Sequence, residues 1–219
     1  MTPFGASMDV DSATAAIAAA DPVMGEFIVR AGPLEPRHYQ GDHFTALARS
    51  IVFQQLAGRA AAAIYGRVLD AVGGRMSAAA ILAATPEALR AAGLSAAKSA
   101  ALTDLATRSL DGTVLLEGIE ALDDEELVAR LSGVRGIGRW TAEMFLLFEL
   151  GRPDVWPVDD HGVRNGWSLI HSLAEMIEAR QLQAAGERFR PHRSTVALYC
   201  WHAVHVARGQ VALPGAGAG

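Results

Sequence analysis

Residues 131–142 read LSGVRGIGRWTA, and this stretch decides how the chain folds. Gly133, Gly136 and Gly138 stand between two helical patterns. Upstream, Asp123 or Asp124 offers an N-cap, with Leu127 and Leu131 on one face. Downstream, Trp140, Met144, Leu147 and Phe148 recur at helical spacing. The link is too short to be a loop of its own, so the sequence predicts a tight hairpin whose glycines take φ > 0. Such a turn aims several backbone N–H groups at one point beside a helix N-terminus, which suits a phosphate oxygen. Arg139 adds a charge there. Taken alone, a glycine turn between helices is also explained by geometry.

Outward from the hairpin the pattern stays helical. Phe44, Leu47, Ile51 and Phe53 mark an apolar stripe, followed by a second segment over residues 60–69. Thr85, Pro86 and Glu87 read as an N-cap, a first-turn proline and a first-turn acid. Ser95 reads as the cap of a helix carrying Leu102 and Leu105. Ser194 reads as the cap of a last long helix through Tyr199, Ala203 and Val206. Alternation with period two is nearly absent; DVWPV, residues 154–158, is the nearest case and is short. The expectation is an all-α protein of about ten helices. Its clearest interruption is LGRPDVWPVDD, residues 150–160, and the tail PGAGAG from Pro214 is expected to be disordered.

Of the 219 residues 51% are hydrophobic and 20% charged, a globular composition with length for one large domain or two small ones. Cys200 is the only cysteine, which excludes an internal disulfide, a four-cysteine iron–sulfur cluster and a cysteine zinc site. No basic segment followed by an apolar core opens the chain, and no apolar run approaches the roughly 20 residues that span a bilayer. A soluble, cytoplasmic protein is expected. The net charge of −5 argues against a general polyanion-binding surface. Acids gather at Asp123, Asp124, Glu125 and Glu126; arginines gather at Arg130, Arg135 and Arg139 and again at Arg188, Arg190 and Arg193. That segregation leaves room for a local basic face, and equally for ordinary solvated helix surfaces.

Asp159 and Asp160 stand just ahead of a helical pattern through Val163 and Ile170. Aspartate is a preferred N-cap, and either residue could do only that. A carboxylate held at the mouth of a cleft between two helical lobes could also stabilise a developing cation or activate a water.

Leu131, Gly133, Val134, Gly136, Ile137, Gly138, Thr141 and Ala142 together resemble the helix-hairpin-helix motif, which holds the DNA backbone without reading sequence. With an aspartate following after a proline-containing loop, the chain resembles the helix-hairpin-helix DNA glycosylase superfamily. The resemblance implies Asp160 as the catalytic carboxylate, with Asp159 the neighbour that varies. It also implies a structural Na+ or K+ held by the main-chain carbonyls of Ser132, Val134 and Ile137, and no required cofactor. Bifunctional members carry a lysine where this chain has Trp140, so Schiff-base chemistry is absent at that site. The cysteine count excludes the iron–sulfur members.

What remains resembles the 3-methyladenine DNA glycosylase II (alkylbase) family. FTALARSIVFQQLAGRAAAAI from Phe44, LRAAGLSAAKSAALTDLA from Leu89, FRPHRSTVALYCWHAV from Phe189 and ADPVMGEFIVRAGPLEPR from Ala20 are similar to its segments. The likeness runs over residues 21–207 and leaves no room for the extra N-terminal β-domain of larger relatives. It implies a two-lobed fold. Residues 1–40 would pack with the C-terminal lobe, residues 41–150 would form a helical barrel lobe carrying the hairpin, and residues 151–219 would carry the catalytic aspartate. Asp160 would lie at the junction, facing Trp140.

An alkylated purine is cationic and a good leaving group, and electron-rich rings recognise cations. Trp140 is the first candidate for a base-binding wall, followed by His161, Phe53 and Met144; Trp156, Trp167 and Trp201 are weaker because a tryptophan at helical spacing also serves a core. His161 stands where relatives carry a bulky apolar or aromatic residue. The resemblance implies base flipping with Gln55 or Leu56 as the wedge that fills the gap. Arg59, Gly136, Gly138, Arg139, Thr141 and Arg193, with His192 beside it, would meet the DNA backbone. The implied activity is a monofunctional glycosylase excising 3-methyladenine-type purines from damaged double-stranded DNA, as a monomer away from membranes, nucleoid-associated in a bacterium. The alternatives are a glycosylase for deaminated bases, a non-catalytic helix-hairpin-helix DNA-binding protein, or a helical protein that binds a small ligand or another protein.

Overall fold

Local sequence sets most of the helix starts. The side chains of Asp21, Asp42, Ser77, Thr85, Ser95, Asp123 and Asp160 each accept an amide hydrogen bond from the first turn that follows, and such a cap contributes about 1 kcal/mol. The structure, a computed structural model, describes residues 10–34, 42–56, 58–114 and 116–211. The tail from Pro214, Ala57 of the QQLAG turn and the Glu35–Arg37 end of the N-terminal match lie outside the described residues.

Among the described residues all regular structure is helical. The helices are α1 (Val10–Ala20), α2 (Pro22–Ala31), α3 (His43–Phe53), α4 (Gly58–Ala71), α5 (Ala78–Ala83), α6 (Pro86–Ala91), α7 (Ala96–Leu110), α8 (Asp124–Ser132), α9 (Arg139–Phe148), α10 (His161–Ile170), α11 (Ala179–Gly186) and α12 (Arg193–Ala207). Single 3-10 turns lie at Ile119–Ala121 and Glu187–Phe189. None of these helices is long and apolar enough to cross a membrane. The DVWPV segment forms no strand: its residues are turn and loop.

The chain divides into two units, residues 1–38 with 146–219 and residues 39–145. The division falls inside α9, ahead of the proline link at 150–160. In the second unit, α3 packs on α4 and α7, and α5 and α6 pack on α7. Leu47, Ile51, Leu102, Leu105, Leu127 and Leu131 form its buried centre.

In the first unit, α10 packs along α12 with backbone against backbone. A Cβ on Gly166 would stand 1.9 Å from the Cys200 carbonyl oxygen, so only glycine permits this approach. Trp156, Trp167, Leu182, Phe189 and Tyr199 fill the core beside it, and the Tyr199 hydroxyl donates to the Gly32 carbonyl at 3.1 Å. The buried Asp21 caps α2 and accepts from His171 Nε2 at 2.9 Å, with Arg188 at 3.2 Å. Burial raises its pKa, but the hydrogen bonds from His171 and the Met24 amide and the charges of His171 and Arg188 prevail, so the carboxyl lies below the ordinary range.

The start of α12 corrects one reading. Ser194 does not cap it; the helix opens at Arg193 after His192, whose side chain makes no cap bond. The buried Ser194 hydroxyl donates to the Arg152 carbonyl at 2.6 Å and accepts from the Val155 amide at 2.9 Å. It thus closes the proline link onto α12, a contact between residues too distant in sequence for a cap pattern to reveal.

Candidate active site

The hairpin between α8 and α9 is built on one left-handed residue. Gly136 has φ +78°, while Gly133 has φ −70° and Gly138 is outside the left-handed region. The expectation that all three glycines take φ > 0 is therefore corrected to one. The other two have different reasons. A Cβ on Gly133 would press on the Arg130 carbonyl at 3.2 Å, whereas one on Gly138 would meet nothing within 4 Å among the described residues. A bare backbone facing open space is what a closely approaching ligand requires. The first-turn amides of α9 have no acceptor inside the helix.

Three side-chain contacts fix the hairpin. The Arg135 amide donates to Asp104 Oδ2 at 2.8 Å. Gln54 Nε2 donates to the Gly136 carbonyl at 2.9 Å and lies 3.4 Å from Thr141 Oγ1. The Arg135 amide bond is the largest influence on Asp104, whose carboxyl it holds below the ordinary range. Thr141 is buried, so its side chain supports the turn while its amide belongs to the first turn of α9. Val134 and Ile137 turn their side chains inward, and the Ile137 amide donates to the Val134 carbonyl at 3.1 Å.

Trp140 follows the hairpin and is 48% exposed. Met144, one turn on, is half-buried and shares its helix face. Arg139 is half-exposed and pairs with Glu125 at 2.7 Å.

Gln54 to Leu56 turn the chain from α3 towards α4. Gln55 takes φ +56°, a left-handed conformation unusual for a non-glycine residue, and Leu56 is 38% exposed. Lys98 reaches from α7 to donate to the carbonyls of Val52 and Gln54, both at 2.7 Å. Arg59 is exposed in the first turn of α4. Phe53 is half-buried, with the Arg49 guanidinium 4.3 Å above its ring and Tyr65 at its edge.

In the other unit, Asp160 is half-buried and caps α10. Its Oδ1 accepts from the Val163 amide and from Trp201 Nε1, each at 2.8 Å. The Trp201 ring stacks on Phe148 with centroids 5.7 Å apart. Gly162 makes room for this, since its Cβ would lie 2.7 Å from Trp201 Cδ1. The buried Cys200 thiol has its pKa raised, first by burial and then by the Asp160 charge, which leaves it an inert packing group. His161 and Asp159 are exposed beside Asp160.

Several sequence expectations change. Arg193 is only 7% exposed, and its guanidinium is held by Asp154 at 2.7 Å and Glu187 at 3.3 Å; the backbone-contact assignment for its side chain is withdrawn. Acids match the charge of the other arginines of residues 188–193, Arg188 pairing with Asp21 and Arg190 with Asp154 and Glu187. Arg130 likewise pairs with Glu126. Trp156 and Trp167 are buried in the core, where Trp156 Nε1 donates to the Leu182 carbonyl and Trp167 stacks on His171. Trp201, a candidate wall by residue type, instead donates its indole N–H to the Asp160 carboxylate. Lys98 stands in the family-like segment from Leu89 without a role legible there, and Gln54, Asp104 and Gly162 carry no signal of their own; their roles rest on partners distant in sequence or on close packing.

Residues 48–191 match the model of the HhH-GPD superfamily base excision DNA repair protein. The chain belongs to this superfamily. It is 36% identical over 161 residues to DNA-3-methyladenine glycosylase 1 of Schizosaccharomyces pombe, a match covering 72% of this chain and 71% of that protein. A crystal structure of the DNA-3-methyladenine glycosidase of Bacillus halodurans aligns with a TM-score of 0.84 at 32% identity, over 93% of this chain and 94% of that one. The S. pombe 3-methyladenine DNA glycosylase in complex with abasic DNA aligns with a TM-score of 0.77 at 32% identity, over 87% and 95%. The helical fold is thus that of the superfamily's glycosylases.

Proposed function

We propose that the chain is a monofunctional DNA glycosylase that removes alkylated purines of the 3-methyladenine type from duplex DNA and leaves an abasic site in an intact strand. The observation that carries this reading is the Asp160 carboxylate, fixed through Oδ1 by the Val163 amide and the Trp201 indole. Its relatives' names supply the substrate class.

Breaking the bond from sugar C1′ to a cationic purine sends the bonding electron pair to the base, which leaves neutral. The positive charge passes from the base to the sugar, which becomes an oxocarbenium ion. A carboxylate about 3 Å away stabilises it by roughly 5 kcal/mol at an effective dielectric constant of about 20. Water then adds to C1′ and its proton passes to Asp160 or to solvent. Trp140 offers no amine at the position of the bifunctional members' lysine, which supports hydrolysis over Schiff-base chemistry.

In this reading Trp140, Met144, Phe53 and His161 form the base-binding set, and Gln55 and Leu56 fill the gap left by the flipped nucleotide. Arg59, Arg139 and the amides of Gly136, Gly138 and Thr141 meet phosphates. The carbonyls of Ser132, Val134 and Ile137 would hold a structural monovalent cation; neutral oxygens suit a singly charged ion, which would brace the hairpin. The working unit is a monomer on double-stranded DNA.

Asp160→Asn keeps the cap and the volume and removes the charge. Base release from methylated duplex is expected to fall at least about 100-fold with duplex binding retained. Persistent release refutes the assignment, and strand nicking before alkali refutes monofunctional hydrolysis. A parallel duplex with deaminated bases tests the substrate class.

A further inference from the structure

The turn after α3 is held from two sides, by Lys98 of α7 and, through Gln54, by the hairpin of the proposed DNA grip. A helix C-terminus leaves carbonyls that need donors. Glycine or water usually meets that need; in α3 the Lys98 ammonium does so, with short bonds to Val52 and Gln54 at 2.7 Å each. The positive charge also suits the negative end of the helix. From the same Gln54 the side-chain amide reaches across to Gly136, the left-handed residue of the hairpin. Immediately beyond, Gln55 occupies its costly left-handed conformation, and such a conformation persists only when the surroundings over-determine it. Burial lowers the Lys98 pKa from that of an ordinary lysine, a cost that surface lysines do not carry.

From this geometry we infer that Lys98 is a positioning residue, which together with Gln54 latches the Gln55–Leu56 turn to the hairpin. The two parts then act as one rigid piece. When the hairpin seats on a phosphate, the gap-filling side chains are already at their working height in the stack. The inference rests on the proposed reading of Gln55 and Leu56 as the gap-filling pair. The latch acts on extrusion of the nucleotide and not on bond cleavage.

Extrusion is easiest for a mispaired base, which separates the latch from a general structural role. Single-turnover base release is measured for an alkylated purine opposite its partner base and opposite a mismatched base, in wild type, Lys98→Met, the double variant Gln55→Ala/Leu56→Ala, and all three substitutions together. Thermal melting checks folding, and Gln54→Leu severs the other arm of the latch should Lys98→Met fail to fold. The expected result is about a tenfold greater loss on the paired lesion than on the mispaired one, with no further loss when Lys98→Met is added to the wedge-deleted protein. Equal loss on both lesions overturns the inference. So does an additive effect in the wedge-deleted protein, which refutes the latch alone. A wedge-deleted protein that releases paired lesions at the wild-type rate instead refutes the gap-filling reading, and the latch with it.

Discussion

Gly162→Ala tests whether the geometry around Asp160 matters to the rate. The added methyl would stand 2.7 Å from Trp201 Cδ1, 2.9 Å from Nε1 and 3.0 Å from Asp160 Oδ1. Carbon atoms pack at about 3.5–4.0 Å, so the indole must retreat by roughly 1 Å. That carries its bond to Asp160, now 2.8 Å, past the limit of a hydrogen bond. A hydrogen bond to a charged group contributes about 1.5–3 kcal/mol. If the carboxylate's aim at the sugar depends on that bond, release slows by about 10- to 100-fold. Alanine is favoured over glycine in a helix interior by about 1 kcal/mol, so at this first-turn position it offsets only part of the strain and stability falls slightly. The assay is single-turnover release from methylated duplex beside a thermal melt. Trp201→Phe, which keeps a ring against Phe148 and removes the donor, should slow release to a similar extent. A rate within twofold of wild type in both variants refutes the orienting role of Trp201.

Arg193→Gln removes one partner of a buried ion pair and should destabilise the protein by about 3 kcal/mol, seen as a fall in melting temperature of roughly 10 °C. The dependence of duplex binding on salt should stay the same; a slope lower by about 0.9 would return Arg193 to the phosphate contacts. Because the Asp21 carboxyl is held below its ordinary value, its contribution to stability is complete above the unfolded-state pKa and is lost as pH falls through the folded one. Acid titration of the melting temperature should therefore show a descending limb in that window, weaker in Asp21→Asn, and an identical limb in both proteins would discard the role.

Features encoded within one helical turn were legible in the sequence. The caps at Thr85, Ser95 and Asp123 stand where the pattern put them, as does the hairpin between α8 and α9. Contacts that join distant segments were not. Arg193 looked available because nothing in its neighbourhood reveals Asp154, 39 residues away. Ser194 looked like a cap because a serine before an apolar helix usually is one, yet its partners are Arg152 and Val155. Trp201 presents the hardest case. Its residue type suggested a stacking wall, and only the small size of Gly162 lets its N–H reach the carboxylate.

The empty space over Gly138 gives that position a double character. Among the described residues no neighbour would resist a methyl group there. A library sorted for heat resistance should accept Gly138→Ala clones, while the same clones would drop out under exposure to a methylating agent if a phosphate docks on that bare backbone. Among sequences gathered from nature, a chain with an intact hairpin and bulk at this one position would mark a descendant that kept the architecture and left repair behind.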